Sequence, residues 1–153
     1  MGLDMNLTAD RYLFQFGGVD DKDKIEKINS MFPELPEGSQ VKEVTAEIIY
    51  WRKANAIHKW FVDNVQEGVD ECQKSYVSQK NLQKLLETCK AVLANPSQAE
   101  TLLPSQNGFF FGGTEYDEWY IKDLERTVEV LENIVPKMET DFREWMFYYQ
   151  SSW

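Results

Sequence analysis

The side chains that could bind a ligand or move a proton are concentrated in one segment, residues 50–61, YWRKANAIHKWF. This segment holds the only histidine of the chain, two tryptophans and three basic residues, in a protein of net charge −10. On a helix, Trp51, Asn55 and His58 would share one face, because they are spaced by four and three residues. Glu47 would extend that face by one turn.

This polar row has two main interpretations. It could lie inside the core and hydrogen-bond to the C-terminal tail or to the loop GFFFGG, since buried polar groups need partners. Alternatively, it could form a pocket wall in which Trp51 stacks on a planar ligand. Arg52 or Lys53 would then meet the charge of that ligand, while Asn55 and His58 would contact its polar edge.

A third interpretation is catalytic, with His58 as a general base, because histidine titrates near neutral pH. No nucleophile or orienting partner for it can be identified in the sequence. One histidine and no close cysteine pair exclude the common zinc patterns, and the sequence contains neither a Walker motif nor G-x-S-x-G. We therefore expect no metal and no cofactor, and we favour a non-enzymatic protein while the catalytic interpretation stays open.

The glycine-flanked loop GFFFGG, residues 108–113, is the second candidate. A glycine-rich loop that leads into a helix can bind phosphate through free N–H groups. Here the following turn carries three carboxylates, which would repel an anion. We expect the phenylalanines to pack on residues 50–61. Phe110, Tyr116 and Asp117 complete the predicted ligand-binding set, with Tyr116 as a second stacking ring.

Alternation of apolar and polar residues predicts strands at both ends of the chain. In the N-terminal segment, a turn-like stretch at residues 8–10 divides the alternation into a pair of strands that ends at Gly17-Gly18. The C-terminal run EWMFYYQSSW alternates in the same way. An aromatic strand without a partner is prone to aggregate, so we expect it to pair with the N-terminal strands. The alternating residues are Leu3, Met5 and Leu7, then Tyr12, Phe14 and Phe16, and finally Trp145, Phe147 and Tyr149.

Apolar residues at spacings of three and four predict three main helices. A shorter charged helix precedes them, followed by a loop rich in proline. The prediction is an α+β fold in one domain, residues 1–153, with three main helices packed on a small antiparallel sheet formed by the N- and C-terminal segments. The short helix is predicted over residues 20–30, the loop over 31–40 and the first main helix over 41–66. The second main helix is predicted to begin at Ser78 and to end at Asn95-Pro96, with one more helical turn before Pro104. The third is predicted to begin at Thr114 or Asp117 and to end at Pro136.

Composition restricts the class of protein. With 42% hydrophobic and 14% aromatic residues, the 153-residue chain is too apolar to be disordered. Two cysteines, Cys72 and Cys89, are too few for a disulfide framework, and Cys89 fits the apolar stripe of the second helix. The first ten residues do not form a signal peptide, and no apolar run is long enough to span a bilayer, which predicts a cytosolic protein. The negative charge opposes direct binding to nucleic acid.

Four strings of residues resemble a family of small proteins encoded by bacteriophages and by prophages or mobile elements in bacterial genomes: MGLDMNL, YWRKANAIHKWF, LLPSQNGFFFGGTEYDEWY and FYYQSSW. The resemblance covers both ends and most of the chain from Glu43 onward. It implies a phage or prophage setting and expression in the cytoplasm of a bacterial host, but it supplies no catalytic residues. Small proteins of this setting are often accessory factors that act on host machinery, which is an association rather than a mechanism.

The resulting hypothesis is a non-enzymatic accessory protein with an aromatic-lined pocket between the first main helix and the GFFFGG loop, closed by the aromatic tail. Its ligand would be small and planar or anionic, such as a nucleotide. The alternative is an acidic protein inhibitor that binds a nucleic-acid-binding or defence protein of the host. The expected partner is therefore a small molecule or a host protein, not nucleic acid or a membrane. The oligomeric state stays open, and a homodimer is one option.

Overall fold

The computed structural model describes residues 2–16 and 20–153. This part of the chain forms one antiparallel sheet of four strands, in the order β2-β1-β4-β3, together with five α-helices. The elements are β1 (Asp4–Tyr12), α1 (Lys22–Ser30), β2 (Glu43–Arg52), α2 (Asn55–Asn64), β3 (Ser75–Tyr76), α3 (Gln79–Ala94), α4 (Ala99–Leu102), α5 (Glu118–Ile134) and β4 (Trp145–Ser152).

The sheet joins the two ends of the chain, as predicted. Asp4 of β1 pairs with Ser152 of β4 on one side and with Arg52 of β2 on the other. Alternate residues of β1, such as Met5 and Leu7, are fully buried on the side covered by helices. Helices α2 and α5 contact this side of the sheet, and α3 packs against α5. The α+β architecture is therefore confirmed, with β2 and the two-residue strand β3 as additional strands.

The prediction of one helix over residues 41–66 is wrong. This segment forms β2, a break at Lys53, and then α2. Lys53 has a φ of 58°, which neither a strand nor a right-handed helix can accommodate. The residues of β2 include Val44, Thr45 and Ile49, which are β-branched and favour the pleated surface, and pairing with β1 satisfies their backbone. The helical spacing of apolar residues across this break was coincidental.

The predicted turn at residues 8–10 is also wrong, because β1 runs through it without interruption. The only irregularity along the described β1–β2 pairing is a bulge opposite Leu7 and Thr8, where Ile48 is the extra residue of β2. Asp10 is buried there and accepts hydrogen bonds from Thr45 and Lys74. The strand β1 ends at Tyr12, so Phe14 and Phe16, which were predicted to lie in a strand, follow it outside the sheet. The predicted strand end at Gly17-Gly18 lies outside the described residues.

The structure confirms the starts and ends that were predicted for the later helices. The hydroxyl oxygen of Ser78 accepts a hydrogen bond from the backbone N–H of Asn81 and caps α3, which ends before Asn95. Asp117 caps α5, which ends at Ile134, two residues before Pro136. Cys89 is buried in the core on α3. The short helix α1 and the loop at residues 31–40 also lie where they were predicted.

Candidate functional site

An open cleft of about 280 Å³ lies where β2 ends and α2 begins. The first turns of α5 and the glycines Gly112 and Gly113 also line the cleft. This volume is slightly below the roughly 300–1,000 Å³ that ligand pockets occupy, which favours a ligand no larger than a mononucleotide. The lining residues with polar or aromatic side chains are Arg52, Lys53, Asn55, Ser105, Glu115, Asp117, Trp119, Tyr120 and Asp123.

One wall of the cleft is cationic. Arg52 and Lys53 are exposed, and neither forms an ion pair with a carboxylate of the described residues. The backbone N–H of Lys53 donates to the carbonyl oxygen of Leu3 at 2.7 Å, which fixes the break between β2 and α2. Gly112, with a φ of +83°, lies against the Lys53 side chain, and a Cβ there would be 3.1 Å from the Lys53 Cβ. A glycine at this position therefore lets the loop approach the lysine.

Asn55, in the first turn of α2, shapes the rim of the cleft. Its side-chain amide donates to the carbonyl oxygens of Phe111 at 3.0 Å and Gly113 at 2.8 Å. Its side-chain oxygen accepts from the backbone N–H of Gln106 at 2.9 Å. Both ends of the amide are thus bonded to the segment that contains GFFFGG, and Asn55 positions that loop instead of presenting a free edge to a ligand.

The lining residues on α5 and just before it include three carboxylates, Glu115, Asp117 and Asp123, which differ in their contacts. The carboxylate of Asp117 accepts hydrogen bonds from the backbone N–H groups of Trp119 and Tyr120, both at 3.1 Å, and so caps α5. Asp123 is half-buried, and its carboxylate has no hydrogen bond or ion pair within the described ranges. The pKa of Asp123 is raised to about 6, chiefly by burial; the nearby Arg126 opposes this shift and the negative charge of Asp117 adds to it.

An exposed aromatic ring stands at the edge of the cleft. The side chain of Trp119 is 66% exposed, and the Nζ atom of Lys122 lies 4.6 Å from its ring centroid. Trp119 and Asp123 are four residues apart on α5 and therefore neighbours on one helix face. Tyr116 does not line the cleft: its hydroxyl accepts from the backbone N–H of Ser105 at 3.1 Å.

The predicted row Glu47, Trp51, Asn55 and His58 does not exist as one helix face, because its first two members belong to β2. Trp51 is only 2% exposed, and its indole N–H donates to the Thr127 hydroxyl at 2.8 Å. It cannot stack on a ligand from that position.

His58 lies in the core in a network of hydrogen bonds. Its Nε2 atom donates to Asp70 at 2.9 Å, because a carboxylate only accepts, and its Nδ1 atom accepts from the Tyr149 hydroxyl at 2.7 Å. The other oxygen of Asp70 accepts from the indole N–H of Trp153 at 3.0 Å. The aromatic tail thus binds α2 through His58 and does not line the cleft.

The structure therefore separates the predicted site residues into two groups. Arg52, Lys53, Asn55 and Asp117 line the cleft, whereas Trp51, His58, Phe110 and Tyr116 do not. Phe110 is half-buried, and its carbonyl oxygen accepts from the backbone N–H of Leu3 at 3.1 Å.

Sequence reasoning missed Trp119 and Asp123. Their spacing of four residues at the start of α5 was the available signal. That signal was hidden among the 26 acidic residues of the chain, since many acid–aromatic spacings of this kind arise by composition alone.

Comparison with known proteins gives no match to a family model, a curated protein or a solved structure. Among residues 2–16 and 20–153, no cluster of three histidine, cysteine or acidic side chains is placed to hold a metal ion. Within the same ranges, no helix is both long enough and apolar enough to cross a bilayer. The geometry of the cleft is thus the main source for a functional proposal.

Proposed function

We propose that the protein is a non-enzymatic accessory protein of phage or prophage origin that binds a small anionic ligand with a planar group, such as a mononucleotide, in the cleft beside α2. It would act in the cytoplasm of a bacterial host, as the family resemblance implies. The observation that carries the proposal is the position of Arg52 and Lys53. Two cations that form no ion pair with any described residue line one cleft in a chain of net charge −10.

The surroundings of these two cations favour an anionic group at this end of the cleft. The backbone N–H groups of Ala56 and Ile57, in the first turn of α2, have no hydrogen-bond partner in the described part of the chain. Such groups and the helix dipole both favour negative charge. No side chain caps α2, and Ala56 and Ile57 both line the cleft.

The exposed ring of Trp119 supports the planar part of the proposal. An exposed tryptophan beside an open cleft offers a flat surface on which a base can stack, and such stacking contributes about 1–3 kcal/mol per base. This role replaces the one predicted for Trp51, whose ring is enclosed by the core.

Titration calorimetry with AMP and GMP, each compared with its nucleoside, tests the proposal. Both nucleotides should bind more tightly than their nucleosides, because only the nucleotides carry the phosphate. The variant Arg52→Gln/Lys53→Gln should weaken nucleotide binding about tenfold or more, since each charged hydrogen bond contributes about 1.5–3 kcal/mol. Trp119→Ala should weaken nucleotide and nucleoside alike.

Lys27→Gln is the matched control, because Lys27 is exposed on α1 and does not line the cleft. It removes a positive charge without touching the site, so nucleotide affinity should be unchanged. Nucleotide binding that is absent, or that is equally strong in the Arg52/Lys53 double variant, would contradict the proposal.

A second candidate function is an acidic inhibitor of a host nucleic-acid-binding or defence protein. The observation that favours it is Phe109, which is 94% exposed at the tip of the GFFFGG loop, in a strongly acidic chain. Exposed aromatic anchors are typical of protein interfaces. Binding to a host DNA-binding protein should then fall steeply with salt, compete with duplex DNA and be lost in Phe109→Ser. Binding that persists in excess DNA would exclude this candidate.

A further inference from the structure

Asp123 is a carboxylate in the cleft that the protein itself leaves without a partner. It is half-buried on α5, one helical turn beyond Trp119, and no described side chain or backbone N–H donates to it. The neighbouring Asp117 is exposed, and one of its oxygens accepts from the two N–H groups that it caps. Glu115, the third carboxylate lining the cleft, is exposed to solvent. Asp123 is thus the partly desolvated acceptor of the cleft.

A carboxylate has two oxygens that can accept two parallel N–H groups at once. A ligand that supplies such a pair would satisfy Asp123, whose ionised form is disfavoured by its burial. The charges are also arranged in space: Arg52 and Lys53 lie on the β2–α2 side of the cleft and Asp123 on the α5 side. The two sides form no ion pair with each other. A ligand that contacts both sides therefore needs an anionic group and a pair of N–H donors.

We propose that Asp123 accepts hydrogen bonds from the base of the ligand and makes the cleft selective for guanine nucleotides. Guanine presents two adjacent N–H donors, N1–H and the 2-amino group, on the edge of a planar ring. Adenine presents an acceptor at N1, which a carboxylate would repel. The ring would stack on Trp119 while the phosphate meets Arg52 and Lys53. This inference rests on the proposed function, because it specifies the ligand of the same cleft.

The test compares GMP, IMP and AMP by titration calorimetry at pH 7.5, where Asp123 is ionised, since its pKa is about 6. The three nucleotides share the phosphate and differ in the base edge. GMP should bind at least about tenfold more tightly than AMP, because each well-placed polar contact discriminates by about 1–3 kcal/mol. IMP, which retains N1–H but lacks the 2-amino group, should lie between them.

The variant Asp123→Asn should remove the preference for GMP over AMP while leaving the fold intact, since it keeps the shape of the side chain and removes its charge. Glu125→Gln is the matched control: it removes a charge from α5 at an exposed position outside the cleft, and the preference should persist.

The possible failures separate the two proposals. If GMP and AMP bind equally, or if Asp123→Asn keeps the preference, the inference about Asp123 is overturned and the anion-binding cleft stands. If no nucleotide binds, the proposed function fails as well.

L-arginine also pairs an anionic group with parallel N–H donors, so it is included as a competitor. If arginine binds more tightly than GMP, the assignment to guanine is overturned.

Discussion

The single histidine of the chain joins three separate parts of the structure. His58 on α2 is bonded to Asp70 in the loop before β3 and to Tyr149 on β4, and it is completely buried. Phe111 also contacts its ring in an edge-on arrangement, with centroids 5.2 Å apart. A histidine with both ring nitrogens bonded inside a core serves to hold these parts together, and it is not placed to exchange protons with a substrate.

Replacing His58 with alanine should therefore destabilise the protein by about 2–4 kcal/mol. The substitution opens a cavity and leaves the Tyr149 hydroxyl and one oxygen of Asp70 without a partner. Urea denaturation measures this loss. Lys59→Ala, at the next position in an exposed ion pair with Asp63, is the control and should cost less than 1 kcal/mol. A loss below 1 kcal/mol for His58→Ala would show that the network adds little to stability.

Asp123 should lower the stability of the folded protein at neutral pH. Its pKa is about 6 in the folded state and 3.8 as the ordinary value, so the folded protein holds this proton more tightly than the unfolded chain does. The contribution of Asp123 to stability therefore falls as pH rises from about 4 to 6. Since the side chain is partly solvated, Asp123→Asn should stabilise the protein by about 1–2 kcal/mol at pH 8 and have no effect near pH 3.5. Urea titrations of both proteins at the two pH values measure this difference, and an equal gain at both would contradict the prediction.

In contrast to Asp123, Asp21 should stabilise the folded protein, and this stabilisation should be lost at acid pH. Burial alone would raise its pKa, but hydrogen bonds from the Phe14 backbone and from the Lys24 and Arg11 side chains outweigh that effect and lower it. The stability that Asp21 contributes is therefore present above about pH 3.8 and is lost as pH falls below it. In the folded protein these bonds hold the segment before α1 against the end of β1.

Among the elements, those with capping signals could be predicted from sequence, and those that depend on a distant partner could not. Ser78 and Asp117 mark the starts of α3 and α5 correctly because an N-cap is a local interaction. In contrast, β2 is a strand because β1 provides its hydrogen bonds, and β1 lies far away in the sequence. The local spacing around Trp51 and His58 favoured a helix, and tertiary pairing overrode that preference.

The candidate site could also be predicted only in part, because some of its features have local sequence signals and others depend on tertiary packing. The cations Arg52 and Lys53 were identified because basic residues are concentrated in one segment of an acidic chain. Their placement on a cleft depends on the strand-to-helix break at Lys53, which has no sequence signal because its positive φ is carried by a non-glycine residue. Asp123 joins the site only through the packing of α5 against β2.

At the level of the helices, Ser78→Ala should destabilise the protein by about 1 kcal/mol, because it removes the acceptor that caps α3. Thermal and urea unfolding would both report the change. The control is Ser97→Ala, since Ser97 is exposed and its hydroxyl bonds only to the neighbouring Asn95 side chain. Equal effects of the two substitutions would mean that the cap contributes nothing specific.

For the whole molecule, the order of the strands sets which backbone amides are protected. β1 lies between β2 and β4 along its length, whereas β2 is an edge strand and residues 31–40 form a loop. Hydrogen exchange should therefore be slowest in β1 and in the residues of β4 that bond to it. These amides should open only with global unfolding, at the free energy measured in urea. Exchange in β1 as fast as in residues 31–40 would contradict the sheet order.

The pairing of Asp4 with Ser152 also has a consequence for a chain that is still being made. β2 can join β1 early, but the other edge of β1 waits for β4, the last strand to be synthesised. At a synthesis rate of about 5–20 residues per second, the time between the completion of β1 at Tyr12 and the start of β4 at Trp145 is roughly 7–27 seconds. During this time the ribosome-bound chain carries an open strand edge that can pair with a neighbouring nascent chain. Slow translation or stalling before Trp145 should therefore increase co-translational aggregation and dependence on chaperones, even though the finished sheet buries that edge.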